Sequence, residues 1–407
     1  MHRAHGILDK YKEIGEMQIL SIIIPAYNEE EAIAATLKRC LDVRDAIIKE
    51  AGLSEVEIIV VNDGSVDKTA AIAGEFKEIR LISHEVNRGY GAALKTGFAN
   101  ARGDILGFLD ADGTCDPHYF IDLCKTLNEK NAHIVIGSRL GAGNQMPGMR
   151  RLGNKFYALL MSLLSDKIVK DTASGMRVLR KESLAKLYPL PDGLHFTPAM
   201  SCKAVLDDEL AIYEVPMSYS ERKGRSKLSV VKDGIRFLKV ILNIALTYKP
   251  RRLFGAIGIL FILIALMYVL FPVEYYLHYA KLEEWMIYRL VTVVILFAVG
   301  LNLISVGETA ENFLLVAGYQ RYRETYFGDL FRRFFSGSKL LFIGCICILA
   351  SLVLNYKTIY QYITIHRITQ HWSYVLAGGF LVLIGFQLIA LGLLQHFVQL
   401  LLSNRSK

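Results

Sequence analysis

Between Arg252 and Glu274 the chain runs for 21 residues, LFGAIGILFILIALMYVLFPV, without one charged side chain. A helix rises about 1.5 Å per residue and the hydrocarbon layer of a bilayer is about 30 Å thick, so this run predicts a membrane-spanning helix over 253–273. Uncharged runs recur at Leu290–Gly307 (18 residues), Leu340–Tyr356 (17 residues) and Ile368–Asn404. Extended into their flanks, or trimmed to the length a bilayer needs, they predict spans at 287–307, 340–357 and 374–394, four in all. Residues 1 to 250 are different, mixing charged and apolar positions as a folded soluble domain does. Overall the 407 residues are 53% hydrophobic and 21% charged, too apolar for one soluble domain, and the excess sits after Arg252. A purely soluble enzyme and a disordered chain are both excluded.

Basic residues give the expected orientation. Lys249, Arg251 and Arg252 precede the first span, and the link between spans two and three carries Arg321, Arg323, Arg332, Arg333 and Lys339. The link between spans one and two has Glu274, Glu283 and Glu284 against one Lys281. The positive-inside rule then predicts a multi-pass integral membrane protein whose N-terminal domain, middle link and C-terminal end are cytoplasmic. The polar N-terminus predicts no cleaved signal peptide. The link 308–336 mixes aromatic and basic residues and reads as amphipathic, lying in the membrane surface, with a solvated loop as the alternative. Six scattered cysteines without CxxC spacing indicate neither a zinc site nor a disulfide framework.

In the soluble half, short apolar runs at 19–25, 56–61, 79–83 and 104–110 predict strands buried on both faces, and the longer periodic segments between them predict helices. Such alternation implies an α/β layer with a mostly parallel sheet, whose ligands bind outside the carboxyl ends of the strands. Each predicted strand is followed there by a polar cluster: PAYNEE, NDGS, NRGYG and DADGT. Asp110 and Asp112 in the last of these lie two residues apart at a strand end, so alternation predicts both carboxylates on one side. Oxygen ligands of that kind suit Mg²⁺ or Mn²⁺, which would neutralise charge on a departing diphosphate. Alone such a pair is commonly a surface turn; a buried strand before it and three polar clusters beside it favour a site.

The blocks PAYNEE, VVNDGS, NRGYGAALKTGF, FLDADGT, GSRL, DTASGMRVLRKE and EVPMSYSERKGRSKL, in this order over about residues 17–240, resemble the dolichyl- and polyprenyl-phosphate sugar synthases of glycosyltransferase family 2. The resemblance implies a Rossmann-like GT-A domain over 1–235; the uncharged runs place a transmembrane domain over 253–407, with a juxtamembrane segment over 236–252 between them. It implies an inverting transfer of a hexose from a UDP- or GDP-linked sugar to a polyprenyl or dolichyl phosphate. It further implies that Pro25, Tyr27 and Glu29 line the nucleoside pocket, that Val61 and Asp63 contact the base, and that Ala111 lies against ribose or diphosphate. Asp110 and Asp112 would take the metal. Where the mannose synthases of the family have a glutamine assisting the metal, this chain has Thr114, so water is an alternative third ligand. Arg139, with Arg150 or Arg151 and Asn154, resembles the set that receives the acceptor phosphate; Arg222 and Lys227 match a basic loop over the donor diphosphate. Arg222 and Lys227 also read as a juxtamembrane patch attracted to anionic lipid. Asp171, Ser174 and Arg177 match a DxxSGxR block readable equally as an internal ion pair or as catalytic.

An acceptor phosphate is already anionic at neutral pH, its second pKa being about 6, so no catalytic base is expected. The expected partners are the nucleotide sugar, the lipid phosphate and the bilayer, with no nucleic acid and with homo-oligomerisation left open. A processive polysaccharide synthase would carry a QxxRW motif, whereas neither Trp285 nor Trp372 follows an arginine. A degenerate transferase acting as a lipid-binding scaffold is the non-enzymatic alternative.

Overall fold

The computed structural model describes residues 18–140, 148–220, 230–317 and 337–405. The chain divides into two compact units, Met1–Ala245 and Leu246–Lys407.

In the first unit the elements alternate as the apolar runs predict. β1 (Ile19–Ala26), α1 (Ile33–Ala51), β2 (Glu55–Asn62), α2 (Thr69–Gly74), β3 (Arg80–Ser83), α3 (Tyr90–Asn100) and β4 (Ile105–Leu109) come first. They are followed by α4 (Phe120–Glu129), β5 (Ile134–Ser138), α5 (Gly148–Leu164), β6 (Met176–Arg180), α6 (Leu184–Leu187), α7 (Phe196–Leu206), β7 (Ile212–Pro216) and α8 (Val230–Tyr248). The seven strands form one sheet in the order β3-β2-β1-β4-β6-β5-β7, with β6 antiparallel to both neighbours and every other pairing parallel. Leu20, Ile22, Ile23 and Ile24 of β1 and Ile59, Val60 and Val61 of β2 are fully buried, because helices cover both faces of the sheet. Each such side chain contributes about 1.5–3 kcal/mol relative to exposure. β3 departs from its expected burial on both faces. It is the edge strand and is half-exposed, with Arg80 reaching back to the carbonyl of Asn100 at 3.0 Å.

Because β6 runs against its neighbours, its start lies where the other strands end: Leu109, the last residue of β4, pairs with Met176, the first of β6. The segment Asp171–Gly175 is thereby delivered to the carboxyl rim of the sheet.

The second unit contains α9 (Pro250–Tyr279), α10 (Ile287–Val316), α11 (Gly337–Leu354), α12 (Tyr356–Ile365) and α13 (Trp372–Arg405). Four of these, all but α12, are long and apolar enough to cross a membrane, the number expected from the uncharged runs. α10 continues to Val316, well into the segment expected to be an amphipathic link, and 318–336 lies outside the described residues. Two of the helix pairs touch through the same device. A Cβ on Gly258 of α9 would lie 2.6 Å from the carbonyl oxygen of Gly300 on α10, and one on Gly300 would lie 2.7 Å from that of Gly258. Each of these glycines packs on the isoleucine four residues after the other, Ile304 and Ile262. In α11 and α13, Gly344 and Gly385 repeat the arrangement with Ile389 and Ile348. Contacts this close require glycine.

Candidate active site

The carboxyl ends of the parallel strands, together with the start of β6, enclose a cleft of about 440 Å³. Pro25 and Ala26 end β1, Asp63 follows β2, Asp110, Ala111 and Asp112 follow β4, Arg139 follows β5, and Gly175 precedes β6; all line the cleft. Tyr27 and Glu29 do too, so the rim expected from the polar clusters is largely assembled in one place.

The acidic pair is held differently from the expectation of strand alternation. β4 stops at Leu109, and both aspartates stand in the turn that follows, which closes at Gly113 with a left-handed φ of 75°. Their orientation comes from hydroxyl groups. Tyr90 donates its O–H to Asp110 Oδ1 at 2.8 Å, and Thr114 donates to Asp112 Oδ1 through its hydroxyl at 2.7 Å and its N–H at 3.1 Å. Thr114, expected as a third metal ligand, therefore has its hydroxyl on Asp112. Gly175 matters for its missing side chain, since a Cβ there would overlap the Asp110 carboxylate. Burial, and then the Asp110 charge, hold the Tyr90 phenol far above its ordinary pKa, so it stays a neutral donor. Among the described residues no three His, Cys, Asp or Glu side chains gather at one point. Two carboxylates with the remaining positions left to phosphate oxygens and water are the donor set that suits Mg²⁺ or Mn²⁺.

Asp63 is buried and much engaged. It accepts from His84 Nδ1 at 2.7 Å, from Arg88 N–H at 2.9 Å and from Gly89 N–H at 2.8 Å. Its own N–H donates to the carbonyl of Ala26, joining two strand ends. His84 in turn meets the Thr96 hydroxyl at 2.9 Å. Val61 is wholly buried within β2, paired with Pro25 of β1 on one side and Ile82 of β3 on the other, and it does not line the cleft, so the structure does not bring it to the base as expected.

Arg139 forms a two-pronged ion pair with Asp171, Nε and Nη2 each 2.8 Å from a carboxylate oxygen, and its backbone N–H adds a third bond at 2.9 Å. Asn154 Nδ2 supplies a fourth donor to Asp171 at 2.9 Å, while its carbonyl oxygen accepts from Thr172. Burial alone would raise the Asp171 carboxyl, but the Arg139 guanidinium and these donors outweigh it and hold the group below its usual range. Burial likewise works against the charge on Arg139, and Asp171 overrides it, leaving the guanidinium more firmly protonated than usual. Arg177 is a separate matter. It is fully buried, donates to the carbonyls of Ser174 and Thr172, and burial lowers it to about 10. The ion-pair reading of the DxxSGxR block is thus met by Asp171, with Arg139 rather than Arg177 as its partner.

Arg222 and Lys227 lie outside the described residues, as do the side chains of Arg150 and Arg151. The cleft also has walls the sequence did not announce. Tyr90, Tyr219, Leu194 and Thr197 line it, and so do Arg236 and Phe237 of α8, which had been expected to begin a juxtamembrane segment. Tyr219 lies under the Arg139 guanidinium, 5.5 Å from carbon to ring centre. NRGYG and EVPMSYS were recognisable as blocks, but nothing in either assigned a role to its tyrosine.

A parallel α/β sheet with one reversed strand, carrying paired carboxylates after its fourth strand, defines the GT-A class of transferase folds. The comparisons agree. The pattern of "Glycosyl transferase family 2" matches residues 21–188, and a "Domain of unknown function (DUF8752)" matches 250–407. The chain belongs to glycosyl transferase family 2. It is 30% identical over 246 residues to the "Low-salt glycan biosynthesis hexosyltransferase Agl6" of Haloferax volcanii, covering 59% of this chain but only 56% of that protein. It is 31% identical to the "Dolichyl-phosphate beta-glucosyltransferase ALG5C" of Trichomonas vaginalis, covering 54% of this chain and 70% of the relative. Similarity to the "Dolichyl-phosphate hexose transferase" of Haloferax volcanii is 30%, covering 57% of this chain and 96% of the relative. Among solved structures, glucosyl-3-phosphoglycerate synthase from Mycobacterium tuberculosis in complex with Mn²⁺, UDP and glucosyl-3-phosphoglycerate is 22% identical, covers 57% of this chain and 81% of that chain, and has a TM-score of 0.46.

Proposed function

We propose that this protein transfers a hexose from a UDP- or GDP-linked sugar to a polyprenyl or dolichyl phosphate at the cytoplasmic leaflet, with inversion at the anomeric carbon and with Mg²⁺ or Mn²⁺ as cofactor. The observation that carries the reading is the cleft that Asp110, Asp112 and Arg139 line together, bringing a carboxylate pair and a guanidinium to one rim. In this reading the carboxylate pair belongs to the donor and the Arg139 guanidinium to the acceptor. The names of the relatives support a lipid phosphate as that acceptor. So does α5, where Leu152, Phe156, Leu159 and Leu163, spaced 4, 3 and 4 apart on one side of the helix, are all more than half exposed. An exposed apolar stripe on the soluble unit is the surface a lipid tail requires.

The acceptor monoester arrives as an anion, so the residues have no proton to remove. Their work is placement and charge balance. Pro25, Tyr27 and Glu29 would hold the nucleoside, with Asp63 toward the base. Arg139, Arg150 or Arg151 and Asn154 would receive the acceptor phosphate and offset the repulsion between two polyanions. Asp110 and Asp112 would hold the cation, whose bound charge would offset that on the leaving diphosphate. Arg222 and Lys227 would close over the same diphosphate from a loop that Gly224 lets bend. The test is release of nucleoside diphosphate by the full-length protein, dependent on both Mn²⁺ and polyprenyl phosphate. Asp112→Asn, which removes charge and keeps shape, should abolish release while nucleotide-independent melting is unchanged. Turnover of that variant near the wild-type rate refutes the assignment.

A further inference from the structure

The transfer chemistry has no evident use for Tyr90, yet its hydroxyl is built into the rim with care. It is the first residue of α3, and its position is held from both chain directions. The backbone N–H groups of Arg88 and Gly89, just before it, are taken by the two carboxylate oxygens of Asp63. Gly89 and Gly91, on either side of it, lie so close to the carbonyls of Asp192 and Pro191 that a Cβ on either would overlap them. The phenol so placed donates to Asp110 Oδ1 at 2.8 Å. From another direction Gly175 leaves just the room the same carboxylate occupies.

An aspartate carboxyl turns readily about its terminal torsion, which has broad wells. Two carboxylates offering oxygen to one small cation need that freedom removed. Here each has its own hydroxyl, Thr114 for Asp112 from within the turn and Tyr90 for Asp110 from a different element. Hydrogen bonds to the carboxylates that hold a cation orient them and tune affinity.

We propose that Tyr90 is a positioning residue that turns the Asp110 carboxylate so that Asp110 and Asp112 present oxygens together to the divalent cation. The inference rests on the metal-holding role proposed above for the aspartate pair. Its test is Tyr90→Phe in the full chain in detergent, with free Mn²⁺ followed by electron paramagnetic resonance during titration, alone and with UDP or GDP present. Affinity for Mn²⁺ should fall about tenfold, the lower end for loss of such a contact. The Mn²⁺ concentration needed for half-maximal turnover should rise in step, with the maximal rate regained at high Mn²⁺ and the melting temperature unmoved. Gly175→Ala pushes on the same carboxylate from another side and should weaken Mn²⁺ binding as well. If Tyr90→Phe binds Mn²⁺ as the wild type does while Asp112→Asn does not, the positioning role is wrong and the metal site stands. If wild type and Asp112→Asn bind Mn²⁺ alike, the metal assignment fails and Tyr90's role fails with it.

Discussion

Replacing Asp171 by asparagine keeps its shape and removes only its charge, so it isolates what the ion pair with Arg139 contributes. Asp171 is fully buried, and the Arg139 side chain is 14% exposed. The carboxylate accepts four donors, three from Arg139 and one from Asn154. Asparagine can accept on one side only; its amide would point N–H groups at the guanidinium or at Asn154. The variant therefore leaves a buried cation without its counter-charge, a change that costs about 3–5 kcal/mol. In a unit of this size each kcal/mol moves the melting temperature by about 2–4 °C, so the transition should fall by roughly 10 °C. Circular dichroism of the full chain in detergent follows it directly. Replacing both partners with leucine removes the unpaired charge along with the pair and should recover part of the loss, the N–H of residue 139 and the Asn154 amide being left without their acceptor. A fall of under about 2 °C in Asp171→Asn would mean that Arg139 is adequately solvated and that the pair contributes little.

Acid supplies a second view of the same pair. A carboxyl held below its usual range stabilises the folded state fully above the unfolded value of about 3.9, and that stabilisation is lost as pH falls through the lower folded value. Hence the gap in melting temperature between wild type and Asp171→Asn should be flat between about pH 5 and 8 and should narrow below about pH 4, read from melts across that range. In the second unit, Gly258→Leu should lower the melting temperature in detergent or abolish monodispersity in size-exclusion chromatography. Gly255→Leu should do neither, because a Cβ there meets nothing within 4 Å.

Much of this was legible from residue order, and the limits have physical causes. The runs predicting β1 to β4 coincide with strands to within a residue or so, since strands covered on both faces, as β1, β2 and β4 largely are, must be mostly apolar; β3 was located by the same signal, but its place at the edge of the sheet was not legible. β6, MRVLR, is bounded by charge and runs antiparallel, and its pairing with β4 spans some seventy residues; neither property is local. The aspartate pair was identifiable as chemistry, but its geometry was not, because the strand ends one residue earlier than alternation requires and a tyrosine from α3 sets Asp110. Arg139 was chosen for its charge, while its partner lies 32 residues on, a pairing that only the fold creates. Phe237 and Arg236 were assigned by their nearness in sequence to a span, and that proximity concealed their place in the cleft.

The glycine contacts of the second unit bear on how little freedom its closest approaches leave to the sequence. Gly344 follows Gly258 by 86 residues and Gly385 follows Gly300 by 85, and each of the four precedes an isoleucine by four. The stretches VGLNLISVG and IGFQLIALG correspond position by position around the latter two. Within each pair the two glycines are interdependent, because a side chain on either one meets the backbone of the other, so one substitution spoils the fit of two helices at once.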